Sequence, residues 1–191
     1  MGISTPWGRS DSRQGYGEGI TFYGTPSHGG FRVSAERLRA MPADLAAIDP
    51  FAGPGWYEED GDWAVVALAF PECFDPYTLL GAVRTAGYSW VSWREDASRF
   101  FMTPRGSGLL LQVARWEKEH AAHWERGSMS SDGRGWLVHY QRMDKSEERT
   151  LLLRDYPDEP LPIRPERFEE ITRGALQATT PSARERAVVG A

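Results

Sequence analysis

A tight turn at residues 25–30 constrains the fold of this chain more than any other stretch. It reads Thr-Pro-Ser-His-Gly-Gly and lies between two short apolar runs, residues 20–24 and 31–34. Pro and Gly favour turns, and both flanking runs alternate apolar and polar side chains as strands do. The pattern predicts a β-hairpin with these six residues at its tip. A tip does not require Ser27 beside His28, so both residues are candidates for function.

The rest of the chain predicts an α+β fold, in which small antiparallel hairpins or a sheet pack against about four to five helices. Gly- and Ser-rich composition predicts loops at residues 1–18 and 128–135, and residues 94–106 are polar and irregular. A second hairpin is predicted at residues 136–154. Helical periodicity and capping residues predict helices at residues 35–41, 57–69, 77–86, 107–126 and 165–173.

The helix predicted at residues 57–69 is the most central one, because its second half is apolar on every side. A buried strand is the alternative for its Val-Val pair at residues 65–66, since periodicity alone does not separate the two. For the domain organisation, we predict three segments. Residues 1–126 form a core domain, residues 127–174 form a hairpin and a helix packed on it, and residues 175–191 form a mobile tail.

Composition excludes several classes of protein. No apolar run approaches the roughly 20 residues that span a bilayer, so no membrane partner is expected. The single cysteine, Cys73, excludes an internal disulfide and fits a reducing cytoplasm, and no signal peptide is visible. A pI near 5.4 argues against direct nucleic-acid binding, which usually requires a basic patch.

The acidic residues are unevenly distributed. Residues 40–83 contain eight Asp or Glu and no Lys or Arg, whereas the rest of the chain holds 22 basic and 19 acidic residues. A segment of one sign can attract a basic partner, although a solvated surface is the alternative. With the hairpin tip, this segment supplies the candidate binding residues: Ser27, His28, Trp56, Glu58, Glu59, Asp60 and Asp62.

Two blocks of sequence carry a resemblance to a known family. The first, residues 5–12 and 19–34, contains Thr-Pro-Trp-Gly and the tip Thr-Pro-Ser-His-Gly-Gly, and the second, residues 56–71, begins Trp-Tyr-Glu-Glu-Asp. Together they resemble an uncharacterised domain family of proteobacterial plasmids, integrative elements and phages, often found near antirestriction and conjugation functions. The resemblance covers about residues 5–126 and implies a mobile-element context, in which short proteins often inhibit host defence.

We therefore predict an accessory protein of a mobile element that inhibits a host defence complex by protein–protein binding, in the manner of an anti-CRISPR or antirestriction protein. The acidic and aromatic segment is the expected contact surface. The expected partner is a host defence protein with a basic, nucleic-acid-binding surface. We expect no cofactor and no metal. We expect the protein to act in the cytoplasm.

An enzyme is the alternative function. In a small hydrolase or transferase, His28 would be the general base and Glu59 its orienting or acidic partner. Acidic residues 58–62 could instead hold a divalent metal, or simply stabilise the first turn of the helix predicted there. The chain contains no Gly-x-Ser-x-Gly nucleophile elbow.

His120 and His123 form a separate candidate metal pair. On the helix predicted at residues 107–126, side chains three positions apart share a face, so both imidazoles could bind one ion. A zinc site would need further ligands, for which the candidates are Cys73, Glu119 and His28. Packing on the apolar side of the helix is the favoured interpretation.

Overall fold

The computed structural model describes residues 2–179 of the chain, in two compact units: Met1–Trp116 and Glu117–Ala191. We call them the N-terminal and C-terminal units. Both contain antiparallel sheet and helix, so the predicted α+β class is confirmed. Residues 180–191 of the predicted tail lie outside the described residues. Within the described part, no helix combines the length and the apolar character needed to cross a bilayer.

Among the described residues, the N-terminal unit contains six strands and, in addition to one short 3₁₀ turn at Pro71–Cys73, five complete helices and most of a sixth, which continues past Trp116. Strands β1 and β2 form a small ribbon, and β3, β4, β5 and β6 form an antiparallel sheet in that order. In chain order the elements are β1 (Ser4–Thr5), β2 (Gly8–Arg9), β3 (Ser12–Gly17), β4 (Ile20–Gly24), β5 (Gly29–Val33), α1 (Ala35–Arg39), α2 (Ala43–Ala46), β6 (Trp56–Glu58), α3 (Trp63–Ala69), α4 (Pro76–Ala86), α5 (Arg94–Met102) and α6 (Pro104–Glu119).

The predicted hairpin at the tip is confirmed, and β4 and β5 are its strands. Gly24 pairs with Gly29, and the Thr25 amide donates a 2.7 Å hydrogen bond to the His28 carbonyl. The Thr25 hydroxyl reinforces the turn, because it donates to the same carbonyl at 2.8 Å and accepts from the His28 amide at 3.1 Å. The turn therefore spans residues 25–28, and both glycines of the motif already belong to β5.

The helix predicted at residues 57–69 is wrong in its first half. Trp56–Glu58 is strand β6, paired with β5, and α3 begins only at Trp63. Tyr57 is buried between two half-buried neighbours, which is the alternation of a strand rather than of a helix. The central position of the helix is confirmed, since all six residues from Ala64 to Ala69 are buried.

Three regions predicted to be loop or irregular structure contain regular elements, so those predictions are wrong over the residues that these elements occupy. Residues 1–18 contain β1, β2 and β3, which are held by backbone pairing although their side chains are mostly exposed. Residues 94–106 contain α5, which buries Ala97 and Phe100, and the start of α6. Residues 128–131 extend a strand of the C-terminal unit, and residues 132–135 form a loop as predicted. Composition missed these elements because Gly, Ser and charged residues are typical of loops, whereas the strands here are held by pairing with neighbouring strands of the chain.

The described part of the C-terminal unit contains the end of α6, a three-stranded antiparallel sheet and one further helix. Its elements are β7 (Trp124–Ser131), β8 (Trp136–Arg142), β9 (Glu148–Leu153) and α7 (Pro165–Thr179). The β8–β9 hairpin was predicted and is confirmed. The core consists of Trp124, Val138, Tyr140, Ile163 and Phe168.

The long helix predicted to reach residue 126 ends earlier, because α6 stops at Glu119. Trp124 lies in β7, exchanges two backbone hydrogen bonds with Ile163, and stacks on Phe168 with ring centroids 3.9 Å apart. The burial of this indole in the C-terminal core outweighs the helical periodicity that had placed it on the helix. The predicted domain boundary at residue 126 accordingly falls inside β7, whereas the chain divides into its two compact units between Trp116 and Glu117, within α6.

Candidate functional site

The hairpin tip and the acidic residues meet at one end of the four-stranded sheet. Because β5 and β6 are antiparallel neighbours, the start of β5 lies beside the end of β6, and the Glu59 amide donates to the Gly29 carbonyl at 3.1 Å. This register brings His28 Nδ1 to 3.7 Å from Glu59 Oε1. Ser27 and His28 are exposed, and Glu59 is half-buried. The structure thus brings together the two residues that the sequence paired as a possible base and its partner.

Both glycines of the tip motif are explained by close approach. A Cβ on Gly29 would lie 2.5 Å from Cζ of Phe22 and 2.6 Å from Oε2 of Glu59. A Cβ on Gly30 would lie 2.3 Å from Cη2 of Trp7 and 2.5 Å from the Tyr57 carbonyl oxygen. The absence of side chains at these two positions lets β6 and the residues after it pack directly against the tip.

The acidic turn, defined as residues 58–62, connects β6 to α3, and two of its carboxylates hold its shape. Glu58 accepts backbone hydrogen bonds from Asp60 at 2.8 Å and from Gly61 at 3.3 Å. Asp62 accepts from the Trp93 indole at 3.1 Å and from the Phe51 amide at 2.8 Å. The predicted role of these acids in a first helical turn is wrong, since the first turn of α3 contains none.

Negative charge in the acidic turn has little compensation. Within residues 2–179, none of its four carboxylates forms an ion pair with Lys or Arg, and the one ion-pair contact is that of Glu59 with His28. The pKa of Glu58 is raised, chiefly by burial and then by the like charge of Asp60, against the lowering effect of its backbone hydrogen bonds. Such crowding of carboxylates favours the approach of a cation.

Three exposed aromatic side chains surround the acidic turn, and we call Phe51, Tyr88 and Trp90 the aromatic rim. Phe51 is 91% exposed, Trp90 62% and Tyr88 49%, and they are three of the four exposed aromatic residues among those described. Trp90 lies against Gly61, where a Cβ would meet its ring at 3.0 Å, and stacks with Tyr88 at 5.9 Å. Sequence reasoning missed the rim, because the aromatic run at residues 88–93 does not show which rings face outward.

Trp56, which the sequence placed among the binding residues, is half-buried and packs inside the unit. Its ring contacts Trp7 edge-on at a centroid distance of 5.8 Å and Tyr23 at 5.9 Å, and the Arg32 guanidinium lies 5.2 Å from it. Most of its surface is therefore committed to the fold. The exposed aromatic area near the acidic turn comes from the rim instead.

A depression of about 240 Å³ opens beside Glu59, and we call it the Glu59 pocket. Five aromatic rings from strands, α3 and the segment before α4 dominate its lining, and no Lys or Arg takes part in it. Phe31 is 4% exposed and forms the floor. The lining residues are Gln14, Tyr16, Phe22, Phe31, Glu59, Trp63, Phe74 and Thr78.

Among the described residues, one group of side chains could share a metal ion: His28, Glu58 and Glu59. Each offers one ligand atom, and these atoms lie within 4.8 Å of one another. Imidazole nitrogen with carboxylate oxygen suits zinc and related divalent ions, but the ligands would have to draw closer to reach bonding distances of about 2.0–2.2 Å.

The histidine pair considered as a metal site does not lie on a helix. His120 and His123 follow the end of α6 with ring centroids 4.8 Å apart, and the His123 amide donates to the His120 carbonyl at 2.8 Å. The predicted shared helical face is therefore wrong. Within residues 2–179, no third His, Cys, Asp or Glu completes a ligand group with them.

Comparison with known proteins places the first two thirds of the chain in one family. Residues 1–121 match the family described as Domain of unknown function (DUF7007). This range contains the hairpin tip, the acidic turn, the aromatic rim and the Glu59 pocket. No curated protein and no solved structure matches the chain.

Proposed function

The chain belongs to the DUF7007 family, a domain family of unknown function, and we propose that it is a binding protein. Its contact surface consists of the acidic turn and the aromatic rim. The observation that carries this proposal is the concentration of exposed rings around carboxylates that have no Lys or Arg partner among the described residues. Isolated exposed apolar residues are ordinary, whereas a cluster beside one sign of charge is typical of an interface.

The two parts of this surface contribute differently to binding. Exposed Phe, Tyr and Trp rings supply contact area with few rotatable bonds, so they lose little conformational entropy on association. Glu59 and Asp60 supply charge, which steers a basic partner and makes association sensitive to salt. Glu58 and Asp62 preserve the shape of the turn, because their oxygens accept hydrogen bonds from the protein itself.

The partner in this proposal is a host defence complex with a basic, nucleic-acid-binding surface. Two considerations support it: the charge of the acidic turn, and the resemblance of the chain to a family of mobile elements. Blocking such a surface would make the protein an anti-CRISPR or antirestriction inhibitor acting in the cytoplasm. Nucleic acid itself is a poor ligand for this surface, since the carboxylates would repel its phosphates.

The test is affinity capture from host lysate, followed by titration of the purified captured protein at about 50 and about 300 mM salt. Glu59→Lys combined with Asp60→Lys is expected to weaken binding by about tenfold or more, because each reversal replaces attraction with repulsion. Trp90→Ala is expected to weaken it at both salt concentrations. Glu58 stays unchanged, since its loss would deform the turn.

The matched control is Glu148→Lys, a reversal at an exposed position of β9 in the C-terminal unit. It changes the net charge in the same direction and is expected to leave binding almost unchanged. Binding that is insensitive to salt, and that survives the double reversal, would refute the proposed surface.

One observation favours a second candidate function. His28 Nδ1 lies 3.7 Å from Glu59 Oε1, beside a pocket, as a general base and its orienting carboxylate would. A small hydrolase or transferase would then use Nε2 of His28 as the base. Hydrolysis of p-nitrophenyl esters and phosphates is the screen for this activity. If the protein is such an enzyme, turnover is lost in His28→Asn and in Glu59→Gln and is kept in Asp60→Asn. Equal rates in all variants would exclude this enzymatic function.

A further inference from the structure

The Glu59 pocket is built mainly from aromatic rings that brace one another. Phe31 at its floor contacts Tyr16, Phe22 and Phe74 edge-on, with centroid distances of 5.0, 5.3 and 5.6 Å. Tyr16 also stacks with Phe74 at 5.2 Å. These contacts fix the rings before any ligand arrives, so the pocket is largely pre-organised.

The charge of the pocket is negative. Glu59 is the only acidic residue in its lining among the described residues, its side chain is 35% exposed, and no Lys or Arg belongs to the lining. Nearby, Asp75 adds to the effect of burial in raising the pKa of Tyr16. Aromatic faces attract cations through their quadrupole, most strongly at Trp, and Trp63 belongs to this lining.

The size of the pocket limits its occupant. Sites for drug-sized ligands enclose about 300–1,000 Å³, and the Glu59 pocket, at about 240 Å³, is smaller. It suits one side chain or a small organic ion and is too small for a nucleotide. Phosphates and carboxylates are disfavoured, since both Glu59 and the ring faces repel an anion.

The geometry points to the Glu59 pocket as the site that receives an alkylammonium group, carried by a lysine side chain of the partner protein. Glu59 pairs with the charge while Trp63 and the phenylalanine rings cover the methylene stem. This inference rests on the proposed function and specifies where the basic partner is anchored. A Cβ on Gly29 would collide with two residues of the lining, Phe22 and Glu59, so the glycine leaves both in place.

The test uses two probes of equal shape on the full chain: choline, and its uncharged carbon isostere 3,3-dimethylbutan-1-ol. Binding is followed by NMR at the Trp63 indole N–H, which is assigned by comparison with Trp63→Phe. Choline is expected to shift this signal saturably. The alcohol is expected to bind at least about fivefold more weakly, because it lacks the charge that Glu59 recognises.

Two variants isolate the carboxylate. Glu59→Gln keeps the shape of the side chain and is expected to weaken choline binding by about fivefold. Glu36→Gln removes the same charge from an exposed residue of α1, which does not line the pocket, and is expected to leave choline binding nearly unchanged. Choline without a saturable effect, or equal binding of choline and the alcohol, would overturn the inference.

Failure of this inference can be told apart from failure of the proposed function. If choline does not bind while partner capture still depends on salt and on Glu59 and Asp60, the contact surface stands and the pocket is not its anchor. If choline binds but captured proteins ignore the double reversal, the pocket stands and the proposed partner surface falls. If both hold, excess choline is expected to reduce partner capture, and unchanged capture would show that the lysine is not its occupant.

Discussion

Replacing Gly30 with Ala is expected to destabilise the N-terminal unit and to displace the acidic turn. The new Cβ would lie 2.5 Å from the Tyr57 carbonyl oxygen and 2.3 Å from Cη2 of Trp7, so the structure must open by about 1 Å to reach ordinary contact distances. The Trp7 atom belongs to a side chain, which can rotate away from the new Cβ. The Tyr57 oxygen is a backbone atom of β6, and its movement disturbs the pairing of Gly30 with Glu58.

The magnitude follows from the balance of two effects. Overpacking of a tightly packed site costs about 1–3 kcal/mol, and the contact with backbone places this case in the upper part of that range. Replacing Gly by Ala also reduces the conformational entropy of the unfolded chain, which offsets about 0.4–1 kcal/mol. The net loss in the free energy of unfolding is therefore expected to be about 1–2 kcal/mol.

The assay is urea denaturation of wild type and variants, with each unit followed by NMR signals of its own tryptophan residues. Gly108→Ala is the matched control. Gly108 lies inside α6 with no atom within 4 Å of its Cβ position, so this variant is expected to gain about 0.5–1 kcal/mol. A Gly30→Ala protein as stable as wild type, with unchanged signals from the acidic turn, would refute the close-approach explanation of the tip.

Three further predictions concern the fold. Phe168→Ala is expected to lower the free energy of unfolding of the C-terminal unit by about 3–5 kcal/mol, because this buried ring stacks on Trp124. Asp75→Ala is expected to cost about 1 kcal/mol, because the Asp75 carboxylate caps α4 through the amides of Tyr77 and Thr78. Burial, and then the charge of His120, lowers the pKa of His123 in the folded protein. The folded state therefore favours the neutral imidazole, and the free energy of unfolding is highest above the ordinary pKa of histidine. It falls as the pH is lowered through the folded-state pKa, because the unfolded chain binds the proton more readily. Thermal unfolding of His123→Gln should therefore depend less on pH than that of wild type between about pH 7 and about pH 5.

Each of these three predictions has an outcome that contradicts it. A loss below about 1 kcal/mol for Phe168→Ala would mean that the core refills the space or that the ring is not buried. For Asp75→Ala, Asp75→Asn is the control, because an amide oxygen still caps the helix; equal losses in both would remove the cap explanation. Parallel pH profiles for wild type and His123→Gln would show that His123 does not titrate differently on unfolding.

The parts of the fold that the sequence predicted correctly are those with local causes. The hairpin tip follows from its Pro and Gly residues and from the Thr25 side chain, which closes the turn. The starts of α1 and α4, which capping residues predicted, follow from the side chains of Ser34 and Asp75, because each accepts hydrogen bonds from amides in the first turn of its helix. In each case, the residues that form the structure are adjacent in sequence.

Several of the parts that were missed depend on partners remote in sequence. Strand β6 has only three residues, so the sequence is too short there for an alternating apolar and polar pattern to identify a strand. It forms because β5 provides hydrogen-bonding partners. Trp124 fits a helical pattern until the Ile163 backbone and the Phe168 ring are known to lie beside it. His28 and Glu59 could be named as a pair from their chemistry, but their 3.7 Å separation depends on the β5–β6 register, which no local pattern encodes.

The two edges of the four-stranded sheet influence how readily copies of this chain associate by strand pairing. An exposed edge is a template on which other chains can add strands and aggregate. At one edge, β3 is rich in Gly and polar side chains, and its register shifts between Gly15 and Gly17. At the other, β6 offers only three residues. Short or irregular edges deter fibril-like growth, so this sheet offers other chains little backbone with which to pair.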